Sequence, residues 1–135
     1  MVVREAMTDF FASAHNSSTL GDAMNKMLSD GLGILFIVDD KSHVVGSLGE
    51  RLLLHVIGNP EMREELASSF MDRHVPVIRF DDEVSQAAQM FRENGVSELA
   101  VVDDNKLVGV LTIRQLLRAM TENNSRNEKS LFQSV

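Results

Sequence analysis

The chain has 135 residues, enough for one well-cored domain or for two half-domains sharing a core. Its 13 Lys and Arg against 20 Asp and Glu give a formal charge of −7, which argues against a nucleic-acid backbone or an anionic membrane surface as partner. There is no cysteine for disulfide or thiol chemistry, no apolar run approaching a membrane span and no signal-peptide pattern, so a cytoplasmic location is expected.

Taken in order, Met1–Met7 is a lead-in whose Val2, Val3, Ala6 and Met7 are free to pack on something, and Phe10–Ala14 is a short extended segment. Ser18 is the predicted N-cap of a helix running to about Ser29, with Leu20, Ala23, Met24, Met27 and Leu28 as its apolar stripe and Gly31 as the left-handed residue ending it. Gly33–Leu54 reads as strand, acidic turn, strand and the start of a helix over about Glu50–Ile57 that Gly58 stops. Asn59-Pro60 is a second start signal, predicting a linker helix over 60–69 with Glu61, Glu64 and Glu65 in its early turns. His74–Phe80 is a strand candidate shortened, or held at a sheet edge, by Pro76. Asp81-Asp82 precedes a helix from about Glu83 to Glu93, with Val84, Ala87, Ala88 and Phe91 inward and Asn94-Gly95 as its end. Glu98–Val102 and Leu107–Leu111 are short β-rich runs around Asp103-Asp104-Asn105, and helical spacing returns after Thr112 with Ile113, Leu116, Leu117 and Met120 on one face. From Thr121 the sequence is polar and aperiodic, a tail or linker over 122–135.

The second half repeats the first. Leu35, Val38 and Asp39-Asp40 align with Leu99, Val102 and Asp103-Asp104; after one residue of adjustment in the turn, Val45-Gly46, Leu48, Arg51 and Leu53-Leu54 align with Val108-Gly109, Leu111, Arg114 and Leu116-Leu117. Ala6-Met7 aligns with Phe70-Met71, so the repeats span about 3–58 and 70–121. One copy would expose a whole sheet face, and the folding unit is therefore the pair.

Two ordered β-α-β-β-α copies at this separation resemble the cystathionine β-synthase (CBS) domain family, whose tandem pair is called a Bateman module. The most specific local sign is Gly-hydrophobic-hydrophobic-Thr-x-x-Asp where the last strand enters the helix, which reads here Gly109-Val110-Leu111-Thr112-Ile113-Arg114-Gln115 and, in the first copy, Gly46-Ser47-Leu48-Gly49-Glu50-Arg51-Leu52. The resemblance implies a mixed α+β (or α/β) fold with the two repeats packed about a pseudo-twofold axis. It also implies a regulatory module, not an enzyme, that binds an adenine nucleotide (AMP, ADP, ATP), S-adenosylmethionine or a related small anion in the cleft between the repeats, mainly at the second, with no cofactor required. A homodimer, and a regulated protein or domain as partner, are implied as well. In the family Thr sits near the phosphates at a helix N-terminus, Asp accepts from both ribose hydroxyls, and the strand opening each repeat holds the adenine. The ligand-binding residues this carries over are His74, Val75, Pro76, Val77, Thr112, Arg114 and Gln115, with Phe10–Ala12 as the equivalent opening of the first repeat.

The chain departs from the family at the ribose position. Leu52 accepts no hydrogen bond, and Gln115 keeps one carbonyl acceptor without the charge. Losing a charged hydrogen bond worth roughly 1.5–3 kcal/mol weakens binding about ten- to a hundredfold. Thr112-x-x-Gln115 is equally a capping box, and Arg51 and Arg114 fit either phosphate or solvent, so both pairs of readings stand open. The Asp pairs at 39-40, 81-82 and 103-104 read as turn and helix-start residues before a divalent-cation site, and the histidines at 15, 43, 55 and 74 lack metal-ligand spacing. Met24 and Met27 suit a core or a dimer surface. No Ser/His/Asp order, phosphate-cradling glycine loop or zinc signature occurs in the sequence. The rival to ligand sensing is an interaction module with decayed pockets, dimerising through the helix faces Leu20–Leu28 and Val84–Phe91.

Overall fold

The computed structural model describes residues 1–31 and 33–122; beyond Glu122 the expected tail lies outside the described residues. The first repeat contains β1 (Ser13–His15), α1 (Leu20–Asp30), β2 (Ile34–Val38), β3 (Val44–Gly49) and α2 (Leu52–Gly58). The second contains β4 (Val77–Arg79), α3 (Val84–Asn94), β5 (Glu98–Asp103), β6 (Lys106–Thr112) and a helix α4 over 113–122. Each repeat forms a three-stranded sheet, ordered β1-β2-β3 and β4-β5-β6. The opening strand runs parallel to the central one through a helical crossover, and the central strand pairs antiparallel with the third. The register repeats too, since Ser13 pairs with Phe36 as Val77 pairs with Ala100, and both hairpins carry an irregularity at the same place, Ile37/Val38 and Val101/Val102. The mixed α+β fold of two matching repeats is as expected.

Local chemistry accounts for the elements. Gly31 and Gly95 end α1 and α3 at φ of 73° and 63°, the left-handed region where a Cβ is unfavourable. Thr19, one residue after the expected Ser18, caps α1 by accepting the Asp22 N–H at 3.2 Å. Asp104 and Asn105 both have positive φ, so the second hairpin closes on two residues and its strands run further than the apolar pattern marks. In the first hairpin Asp39 Oδ1 accepts the N–H groups of His43 and Lys41 at 2.9 Å each, and the His43 bond chiefly holds its carboxyl below the usual value.

Two expectations need correction. The linker is not a continuous helix over 60–69 but two 3-10 turns, Pro60–Glu64 and Ala67–Ser69. Glu65 and Leu66 between them are extended because they pair with the start of α1: Leu20 N–H donates to Glu65 O at 2.8 Å and Ala67 N–H to Ser18 O at 2.9 Å. The strand candidate His74–Phe80 forms a ladder only over Val77–Arg79. Its upstream segment is held elsewhere, where Ser47 and Asp72 exchange backbone hydrogen bonds at 2.9 Å.

The central strands are buried on both faces. Leu35 and Ile37 of β2 pack with Leu20, Ala23, Met24 and Met27 of α1 in a first core, while Leu99 and Val101 of β5 pack with Val84, Ala87 and Phe91 of α3 in a second. Phe36 and Ala100, at equivalent register, meet with Val110 in a third cluster joining the two sheets. The lead-ins are exchanged. Val3 is buried in the second repeat's core, and Ala67, Phe70 and Met71 belong to the first repeat's core. Both cores are completed by residues from across the pair.

Candidate functional site

The exchange sets the site. Ser47 fixes Asp72, and Asp72 Oδ1 accepts the His74 N–H at 2.9 Å, so the segment His74-Val75-Pro76 crosses the outer end of the first sheet before joining its own. There it borders a cavity of about 290 Å³ lined by Gly33, Ile34, Phe36, Ser47 and Gly49 of the first repeat and by Val96, Ser97 and Glu98 of the second. Ser47 stands where the second repeat has the buried Val110, and its smaller side chain leaves room beside Phe36. Among the described residues no backbone hydrogen bond engages Val75. Its N–H and C=O are therefore available to the edge of a flat heterocycle, with Ile34 and Phe36 for its faces.

A second, more open cavity of about 790 Å³ lies alongside, lined by Gly31, Thr112, Ile113, Arg114, Gln115 and Leu117. Ser97 and Glu98 line both cavities and form their common wall. The residues expected to act together are thus divided. His74, Val75 and Pro76 face one cavity, and Thr112, Arg114 and Gln115 face the other. Val77 lines neither of the two; it pairs with Ala100 in β4 and is 42% exposed.

At the mouth of the second cavity Gln115 makes the capping contact of its two readings. The Thr112 N–H donates to Gln115 Oε1 at 2.9 Å and the Gln115 N–H donates to Thr112 Oγ1 at 3.1 Å. This is a complete capping box closing the N-terminus of α4. In the first repeat Leu52 packs against the core.

Sequence reasoning missed the shared wall. Gly33 and Ser97 sit at equivalent positions, their carbonyls accepting the N–H groups of Glu50 and Ile113 at 3.0 and 3.1 Å. Glu98 opens β5 opposite Thr112, and its carboxyl is raised above the usual value by partial burial and, secondarily, by the charge of Glu50. A lone charge at the head of the apolar run Leu99–Val102 was the available signal.

The structure also brings together Ser17, His15 and Asp40, which the sequence order does not suggest. His15 Nε2 meets Asp40 Oδ1 at 2.5 Å and Nδ1 meets Ser17 Oγ at 2.7 Å. The Ser17 N–H donates to the same Nδ1 at 3.0 Å, so the group closes a turn, and none of the three lines either cavity. Among the described residues, no cluster of three or more His, Cys, Asp or Glu is arranged to hold a metal, and no helix is long and apolar enough to cross a membrane.

Comparison with known proteins agrees with this architecture. An uncharacterized protein of Methanopyrus kandleri is 34% identical over 98 residues, covering 69% of this chain and 49% of that protein. Inosine-5'-monophosphate dehydrogenase of Methanocaldococcus jannaschii is 29% identical over 101 residues, covering 74% of this chain but 20% of the enzyme. The chain thus spans about half of the first relative and a fifth of the second. Among solved structures, CBSX2 in complex with AMP superposes with a TM-score of 0.78 at 23% identity, covering 91% of this chain and 98% of that one. The CBS-domain profile matches residues 3–59 and again 67–122. With two matched segments and two matching three-stranded repeats, the chain belongs to the CBS-domain family as a tandem pair.

Proposed function

We propose that this pair is a regulatory ligand-sensing module, not an enzyme, that binds an adenosine compound of the AMP, ADP, ATP or S-adenosylmethionine class at the opening of the second repeat. The observation that carries the reading is the His74–Pro76 segment, pinned through Asp72 and presenting the unengaged Val75 backbone to a cavity walled by Ile34 and Phe36. The AMP complex of CBSX2 and the kinship with a segment of a nucleotide-handling dehydrogenase support it. The pair acts in the cytoplasm as a homodimer and passes its ligand state to a regulated protein or domain.

Ligand that binds only the native fold raises the unfolding midpoint, with about 2.7 kcal/mol of stabilisation at a hundred times Kd. A thermal-shift screen of AMP, ADP, ATP, adenosine and S-adenosylmethionine against GMP should therefore show adenine-containing compounds raising the midpoint and GMP leaving it in place. A flat response to every adenine compound would overturn the reading. The second reading, an interaction module, is favoured by one observation: Thr112 and Gln115, at the positions of the family's phosphate and ribose contacts, are already engaged with each other in the capping box.

A further inference from the structure

We infer that Glu98 makes this cleft select by charge, admitting an uncharged or cationic adenosine compound in preference to AMP, ADP or ATP. The inference rests on the reading that an adenosine compound binds here, and it adds which class.

Glu98 is in the common wall, lining both the cavity beside His74–Pro76 and the one beside Thr112. A ligand with its base against Val75 therefore has Glu98 beside it whichever way its sugar and substituents extend. The other charged groups around the wall reinforce the sign. Asp72 lines the first cavity, and the Glu50 carboxylate stands 3.4 Å from where a Cβ on Gly33 would be, at that cavity's rim. The basic side chains lining the two cavities are His74 on one side and the exposed Arg114 on the other. Burial of the Glu98 carboxyl reduces solvent screening of its field, and its raised proton affinity reflects that burial together with Glu50.

The usual compensation for a phosphate is reduced as well. The first turn of a helix attracts anions through unpaired N–H groups. At α4 the Thr112 and Gln115 N–H groups are taken by each other's side chains. A phosphate would displace that box while facing a carboxylate. A sulfonium or an ammonium group would meet the carboxylate as a partner instead.

Calorimetry with adenosine and AMP on the parent, Glu98→Gln and Glu50→Gln proteins tests this. The parent should bind adenosine at least about tenfold more tightly than AMP. In Glu98→Gln, which keeps the side chain's shape, the ratio of adenosine to AMP affinity should fall by about tenfold. In Glu50→Gln, an exposed position, it should fall in the same direction by less. Equal affinities in the parent, or a ratio unchanged by Glu98→Gln in a protein that melts cooperatively, would overturn the inference and leave adenosine binding standing. AMP binding without adenosine binding would likewise overturn the inference alone, and absence of binding of both compounds to all three proteins would overturn the adenosine reading with it.

Discussion

Glu98 is a cost to the fold as well as a filter. In the unfolded chain a glutamate ionises near 4.5, and in the folded protein burial and Glu50 hold Glu98 protonated to higher pH. The ionised form is therefore disfavoured in the native state. That penalty is absent below the unfolded value, grows as pH rises and is complete above the folded value. Glu98→Gln should accordingly stabilise the protein at pH 7.5, on the order of 0.5 kcal/mol because partial solvent access screens the charge, and have no effect near pH 4. Melting curves at the two pH values check this; an equal shift at both would show that the carboxyl's charge is not responsible. Gln115 teaches the complementary lesson. Thr-x-x-Gln has two readings in sequence, a cap or a ribose contact, and the structure makes the cap, the amide oxygen reaching the Thr112 N–H. Glu98 was harder to see, since the wall it forms depends on which segments the pair brings to the end of β5.

At the scale of elements, the hairpins, the helices and the duplication are legible because they rest on local chemistry: β-rich runs around Asp turns, helical stripes and left-handed glycines. The linker is not, because Asn59-Pro60 starts a helical turn that long-range pairing with the start of α1 then stops. The exchange of lead-ins is likewise non-local, although two glycines record it. A Cβ on Gly109 would stand 2.7 Å from Met7 Sδ and 2.8 Å from Thr8 O, and one on Gly46 would stand 2.7 Å from Met71 Cγ and 3.0 Å from Asp72 O. Each repeat thus keeps a glycine where the other's lead-in crosses its last strand. Gly109→Ala should destabilise by about 1–3 kcal/mol. Adding Met7→Ala should recover little, because the Thr8 contact is backbone. Chemical denaturation of the two variants measures this, and full recovery in the double variant would mean that only the side chain obstructs.

For the whole molecule, the helix faces expected to dimerise are mostly spent internally. Leu20, Ala23, Met24 and Met27 of α1 and Val84, Ala87 and Phe91 of α3 are core. Leu28 of α1 stays outside, as do apolar side chains on the other pair of helices: Leu54 and Ile57 of α2, 66% and 74% exposed, and Leu117 and Met120 of α4, 60% and 40% exposed. Those of α2 and α4 occupy equivalent places in the two repeats, so a second copy can meet both with the same chemistry. Light scattering at tens of micromolar should give a dimer, and Leu117→Glu should shift it to monomer without unfolding it; a monomeric parent would remove the dimer from the account. The ligand reading has a more direct test. In an amide-resolved NMR titration of the parent with adenosine, the largest shifts should fall on Gly33, Ile34, His74, Val75, Ser97 and Glu98, the residues around the wall between the repeats. Saturating adenosine that leaves those amides unmoved, or moves only the outer faces of α2 and α4, would contradict it.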